Sequence, residues 1–289
     1  MTALAMDRAA NASEIQIQSA ARTSRRRHTA WVWFGRIMVA VIVFGGWQLF
    51  TMVGWVDPFF YGQPSGIWDS LVHLFTQGTA FGSIWENLWV TVQEAIFGFL
   101  LGTVTGAIVG ILLGSNRYLA EVCGPYIKVV NAIPRIVLGS IFLVAFGLGP
   151  FPKVLLAAVL VFFAVFFNAF QGVREVDQNL VSNVRILGAS PLQVARHVTI
   201  PSAMTWIIAS LHTAFGFAII GALVAEVLGA QRGIGLIISH AQGTFDANTV
   251  FACMVIIAVF TLVAEYLISL LEARVLKWRP PSRAEAQAI

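Results

Sequence analysis

Residues 173–201 read VREVDQNLVSNVRILGASPLQVARHVTIP, a polar segment between two long apolar runs. If the flanking runs cross a membrane, a polar segment of this length must lie outside the hydrocarbon, where it can serve as a docking surface. Leu180, Val184 and Leu187 fall at i, i+4 and i+7 with Val181 beside them, which predicts one apolar helical stripe. Asn179, Ser182, Asn183 and Arg185 take the other face. Gly188 ends that helix, where a residue free to adopt positive φ is wanted. Ser190 and Pro191 start a second helix as N-cap and first helical residue. It carries Leu192, Ala195 and Val198, with Arg196 and His197 polar, and Pro201 is expected to close it. The segment thus reads as two short amphipathic helices joined by a tight glycine turn. By periodicity alone it is either a docking element or a surface hairpin covering its own spans.

Working outward, the chain of 289 residues is 58% hydrophobic and only 11% charged, with a mean hydropathy of +0.80. That composition predicts an all-α polytopic membrane protein. Apolar runs place spans over about 34–53, 88–113, 119–148, 154–170, 206–228 and 250–271, six in all. The third is expected to break at Pro134, which removes a backbone donor. Broken helices at membrane depth are tolerated only inside protein or beside a cavity. The second carries Gly98, Gly102, Gly106, Gly110 and Gly114, a four-residue ladder that offers a neighbouring helix a smooth groove. Between the first two spans, Ile67, Leu71, Leu74 and Phe75 predict a helix lying on the membrane surface or partly packed.

Six spans put both termini on one side. Residues 1–30 read as a disordered basic tail, 31–279 as the membrane domain and 280–289 as a polar C-terminal tail. The basic cluster before the first span resembles a signal n-region, but the apolar run is long enough to span and shows no small-residue cleavage site. Thirteen of the 18 Lys and Arg residues fall on the side of the termini and of the 173–201 segment, against Lys153 and Arg232 on the other. This bias predicts a cytoplasmic location for the termini and the segment, and it accounts for the +4 charge without nucleic acid. Cys123 and Cys253 both sit in apolar context, so neither a disulfide framework nor a metal site is implied.

The 173–201 segment resembles the cytoplasmic coupling loop of ABC importer permeases, the binding-protein-dependent family. Gly188-Ala189-Ser190, then Val198, Ile200 and Pro201, stand at the family's offsets, while Ser182-Asn183-Val184 replaces the family's Glu-Ala-Ala. TVQEAIFGFLLG at 91–102, NAIPRIVLGSIFLVAFGLG at 131–149 and AEVLGAQRGIGLII at 225–238 carry the likeness toward the nitrate, sulfonate and taurine branch, which includes permeases for pyrimidine precursors or riboflavin. The resemblance implies a type I ABC importer permease fold in a bacterial inner membrane. It further implies a homodimeric pore surrounded by lipid, an ATPase docked on the 173–201 loop and a solute-binding protein at the outer face. Leu180, Arg185, Leu187, Gly188, Ala189, Leu192, Arg196 and Pro201 are then the candidates for ATPase coupling.

Ionisable groups within spans are functional candidates because they are costly in lipid. Arg135, just after the helix break, would either attract an anionic solute or pair with a carboxylate. His212 is a pore residue or an interhelical donor, and Glu226 orients an outer gate or makes a structural hydrogen bond. Asn168 could present its amide to solute. Lys128 reads as a snorkelling cation, Glu94 as a packing partner and Glu265 as structural. No G-x-x-x-x-G-K-[ST], H-E-x-x-H or G-x-S-x-G pattern occurs, so the chain is expected to be no enzyme and to need no cofactor, with ATP hydrolysis supplied by a partner. The rival is an ion- or proton-coupled secondary carrier, which would usually show internal repeats or paired broken helices. Only one broken segment is present, and no repeat.

Overall fold

The computed structural model describes Thr29 and residues 31–275. Apart from Thr29, the tail expected over 1–30 lies outside the described residues, as does the 280–289 tail. The chain forms two compact units that meet between Ile67 and Trp68. In the first, the apolar helix α1 (Trp31–Met52) is followed by a single turn, α2 (Pro58–Tyr61). Asp57 caps α2 by accepting the Phe59 N–H at 2.9 Å. Gln48 of α1 accepts the Ser65 N–H at 3.0 Å, at the first turn of α3 (Pro64–Thr76).

The second unit is built on three long helices, α4 (Ile84–Ser115), α7 (Pro150–Arg174) and α10 (Ile200–Leu228). Between α4 and α7 runs a bent pair, α5 (Arg117–Ala132) and α6 (Arg135–Phe146). After α7 come α8 (Gln178–Ile186) and the short α9 (Pro191–Val194). After α10 come α11 (Ile234–Gly243) and α12 (Ala247–Val275). Among the described residues five helices are long and apolar enough to cross a membrane, and six spans result if the bent pair counts as one. The bend is 85° and falls at Ile133–Pro134, where the sequence places its break. Leu74 of α3 is buried while Trp68 is exposed, so this helix packs by one edge.

The glycine ladder explains the core. A Cβ on Gly102 would lie 2.5 Å from the Ala158 carbonyl oxygen, and one on Gly106 would lie 2.7 Å from that of Phe162. A Cβ on Gly110 would lie 2.7 Å from Ala169 Cβ, and one on Gly114 2.8 Å from Val173 Cβ. The carbonyls met by Gly102, Gly106, Gly110 and Gly114, those of Ala158, Phe162, Phe166 and Phe170, advance four residues at a time, so α4 and α7 run parallel with their backbones touching. Across α7, Gly221 of α10 makes the same approach, 2.5 Å from its would-be Cβ to Ala157 Cα, and Gly98 of α4 meets Ala157 from the other side. Lipid tails are as apolar as leucine, so cohesion here comes from such close van der Waals packing rather than from burial out of water. Ala95, Ala169, Ala203, Ala214, Ala218 and Ala222 fill the rest of the core, and Phe99 meets Phe215 edge to face at 5.5 Å.

The polar segment follows the sequence for most of its length. Asp177 caps α8, accepting the Asn179 N–H at 2.8 Å. Gly188 takes φ +87°, and its N–H and that of Ala189 return to the carbonyls of Arg185 and Val184. Ser190 and Gln193 then form a reciprocal capping box: the Ser190 hydroxyl accepts the Gln193 N–H at 3.3 Å, and the Gln193 side chain accepts the Ser190 N–H at 2.8 Å. One expectation fails. Pro201 does not close the second helix. The chain passes from α9 through a π-turn, Ala195–Thr199, straight into α10. The Ile200 N–H reaches back five residues to Ala195, so the wider turn carries the backbone past Pro201, which sits in the first turn of α10.

Over-packing the α4–α7 contact should therefore be expensive. Gly102→Leu is expected to destabilise the detergent-solubilised protein by about 1–3 kcal/mol or more, whereas Gly216→Ala, with nothing within 4 Å of its added Cβ, should not. Thermal unfolding of the two variants checks this, and equal melting would contradict it.

Candidate coupling segment and buried polar cluster

The 173–201 segment presents apolar side chains to the outside. Ile186 is 82% exposed, Leu187 86% and Leu192 77%. Leu180, Arg185 and Arg196 are also exposed, while Ala189 is half-buried. Val194 is buried and holds the segment to the bundle. Beneath it lies a cavity of about 460 Å³ lined by Val181, Arg185 and Val194 on the segment and by Ser115 and Arg174 at the ends of α4 and α7. A Cβ on Gly188 would meet nothing within 4 Å, so its requirement for glycine is conformational. Exposed leucines on a capped, rigid turn make a surface suited to burial against another protein.

At the opposite end of α10, Glu226 is fully buried. It accepts the Thr91 hydroxyl at 2.7 Å and the Gly235 N–H at 2.6 Å. Thr91 in turn accepts the Ile234 N–H at 2.9 Å, and Asn87 accepts the Gly233 N–H at 2.9 Å. These three amides form the N-terminal turn of α11, whose donors have no partner inside the helix. A carboxylate at that end also meets the positive end of the helix dipole. The fit leaves no room: a Cβ on Gly235 would stand 2.5 Å from Glu226 Cβ, and Gly233 abuts the carboxylate at φ +117°. Asn87 is itself held, its amide donating to the carbonyls of Phe81 and Ser83.

Beside this cap lies Glu94, 2% exposed, facing Glu226 and the ammonium of Lys153. Lys153 Nζ stands 3.9 Å from Glu94 Oε1 and donates to the carbonyls of Leu148 and Gly149 at 2.7 and 3.0 Å. Neither oxygen of Glu94 is hydrogen-bonded. Two acidic side chains and one ammonium, from α4, α10 and α7, thus tie together the three helices of the core.

Of the four residues expected to line a path, only Glu226 enters this cluster. Arg135 is exposed and donates to Asn131 at 3.1 Å. Asn168 is half-buried and donates to the Ala164 carbonyl of its own helix at 2.8 Å. His212 Nε2 lies 3.1 Å from Glu272 Oε2, joining α10 to α12. Among the described residues no hydrogen bond or ion pair joins any two of the four. Lys153, Asn87 and Thr91 escaped the sequence reading. Lys153 follows Gly149-Pro150-Phe151-Pro152 and entered the sequence reading only as an outer-side cation, yet it is 2% exposed. A signal for the other two was present: Asn87, Thr91 and Glu94 sit at i, i+4 and i+7, a polar stripe within an apolar span.

The described residues form a bundle of apolar helices with a protruding capped turn. Residues 102–277 match the family described as "Binding-protein-dependent transport system inner membrane component". The chain belongs to this family and is the membrane permease subunit of an ABC importer, with ATP hydrolysis residing in a separate subunit. It is 30% identical over 86% of its length to a Bacillus subtilis (strain 168) protein named as an aliphatic sulfonates transport permease, SsuC, covering 88% of that protein. It is 27% identical, over 86% of the chain and 91% of the relative, to the Escherichia coli (strain K12) protein of the same name. The riboflavin transport system permease protein RibX of Chloroflexus aurantiacus is 28% identical over 71% of the chain and 76% of its own length. Among solved structures, the MetNI methionine ABC transporter in an inward-facing conformation superposes with a TM-score of 0.55 at 20% identity, over 67% of this chain and 96% of that one. An amino acid ABC transporter superposes with a TM-score of 0.54 at 22% identity, over 65% and 92%. The fold is that of type I ABC importer permeases.

Removing the carboxylate should loosen the turn it caps. Glu226→Ala is expected to raise amide hydrogen exchange at Gly235 and Ile234 by roughly tenfold or more, since leaving a buried donor without its acceptor costs about 1–3 kcal/mol. Glu226→Gln should have a smaller effect. Unchanged protection in the alanine variant would contradict the capping role.

Proposed function

We propose that the chain forms half of a homodimeric translocation path for a small anionic organic solute of the aliphatic sulfonate class. The observation that carries this is the match, over most of both chains, to the relatives named for aliphatic sulfonates. A riboflavin-like vitamin precursor is the second reading, favoured by the likeness to RibX. The 173–201 segment faces the cytoplasm and receives the ATPase, with Leu180, Leu187, Leu192 and Arg196 at the contact and Gly188 setting its shape. A solute-binding protein delivers solute at the outer face, toward the end of the bundle that carries Glu226 and α11. Arg135, Asn168 and His212 contribute to the path once two copies assemble.

Support for the coupling role is mechanical. From Pro191 to Leu228 the chain is one helical rod of 38 residues, about 57 Å at 1.5 Å per residue. Its first turn carries the exposed leucine of the docking surface and its last carries Glu226. A tilt imposed on the segment therefore reaches the α11 turn without crossing a flexible joint.

Two experiments test this reading. In proteoliposomes with its ATPase and binding protein, the transporter is expected to accumulate a labelled alkanesulfonate only with ATP; gradient-driven uptake without ATP would overturn the importer assignment, and riboflavin uptake alone would select the second reading. Gly188→Val should cut ATP-driven uptake at least about tenfold with membrane insertion intact, because a β-branched residue at positive φ costs on the order of 1–2 kcal/mol and distorts the docking turn. Normal uptake by that variant would sink the coupling assignment.

A further inference from the structure

A second basic site lies at the same end of the bundle as the 173–201 segment, between α5 and α7. Gly114 packs on Val173, so α4 and α7 end together, at Ser115 and Arg174. There the chain turns into α5, which buries no residue and meets α6 at 85°. One face of α5, with Gly124, Ile127 and Lys128, encloses a cavity of about 280 Å³ with Phe166, Phe167 and Phe170 of α7. Its charged lining residues are Lys128, Arg174 and Glu121. Glu121 is already paired with Arg117 at 2.8 Å. Arg174 lies over the Phe170 ring at 5.0 Å, which orients the guanidinium and leaves its N–H edge free for an anion. Among the described residues, therefore, no ion pair compensates the two cations above this aromatic floor, at the end of two membrane-spanning helices. The opposite face of α5 exposes Tyr118, Val122, Tyr126 and Val129, and tyrosine is enriched where membrane meets water.

We infer that the cavity between α5 and α7 binds an anionic phospholipid, with the phosphate between Lys128 and Arg174 and the start of an acyl chain against Phe166, Phe167 and Phe170. Charge complementarity selects the occupant. A zwitterionic lipid would bring its own cation to two uncompensated ones, and an apolar partner helix would bury both unpaired. A bound lipid bridges the bent α5–α6 pair, otherwise held mainly through α6, to the wall of α7. It also places its phosphate beside Arg174, which lines the cavity under the coupling segment as well.

The test uses the full chain in complex with its ATPase, solubilised in a neutral detergent and titrated with lipid under native mass spectrometry. Phosphatidylglycerol should bind roughly tenfold or more tightly than phosphatidylcholine with the same chains. Lys128→Gln/Arg174→Gln should erase that preference, while Arg36→Gln/Arg232→Gln, with the same loss of charge elsewhere, should keep it. Arg117→Gln should weaken it by releasing Glu121. Equal binding of the two lipids, or a preference that survives the double variant, would overturn the proposal. Glycerol 3-phosphate displacing the lipid at similar concentration would also overturn it, since the site would then hold a soluble anion. If the double variant is not recovered folded, Lys128→Gln alone, on a helix that buries nothing, must lose about half the preference on a logarithmic scale. A full preference in that variant would reject the site.

Discussion

Backbone contact between α4 and α7 is the constraint on which the rest depends. Four glycines of α4, from Gly102 to Gly114, lie so close to α7 that a methyl group on any of them would collide with backbone or with a fixed Cβ. Ala157 is then pinned between Gly98 of α4 and Gly221 of α10, so the third helix is positioned by the first contact. In a bilayer no hydrophobic force holds helices together, and this density of contact must supply the cohesion. The same three helices carry Glu94, Lys153 and Glu226, with Lys153 Nζ 3.9 Å from Glu94 Oε1.

The three helices do not carry equal loads. α4 and α7 form the frame, while α10 belongs both to the frame and to the rod that begins at Pro191. The π-turn at Ala195–Thr199 lets that rod run past Pro201 unbroken. At one end stands a turn fixed by Gly188 and a capping box, with leucines facing outward. At the other stands a carboxylate that closes the first turn of α11. Each polar side chain of the cluster has a hydrogen-bond partner except Glu94, whose oxygens have only the electrostatic company of Lys153 and Glu226.

Much of this was legible in the sequence because the signals were local. The glycine ladder, the break at Pro134, the Gly188 turn and the Ser190 cap each rest on the conformational habit of one residue type, and each reappears in the structure. The failure at Pro201 has the same source: proline is a helix stopper by local rule, and only a π-turn, invisible to that rule, carried the helix on. The buried cluster was harder because its meaning is tertiary. Glu226 was identifiable as costly in lipid, but its partners Thr91 and Gly235 come from other helices, and no spacing announces that an amide turn needs a remote carboxylate. Lys153 was counted only as an outer-side cation, and two prolines and two glycines within the six residues before it gave no sign of its burial. Arg135, Asn168 and His212 show a further limit, since each has a partner within this chain and no spacing tells such a partner from a solute contact.

The most direct test of the account is a pull-down of the tagged chain from detergent-solubilised native membranes, beside a Leu187→Asp/Leu192→Asp variant. The account requires an ATPase subunit in roughly equal amount with the unmodified chain and little or none with the variant. Recovery of the unmodified chain alone, or equal retention of the ATPase by both, would contradict the claim that this permease is worked through the 173–201 segment.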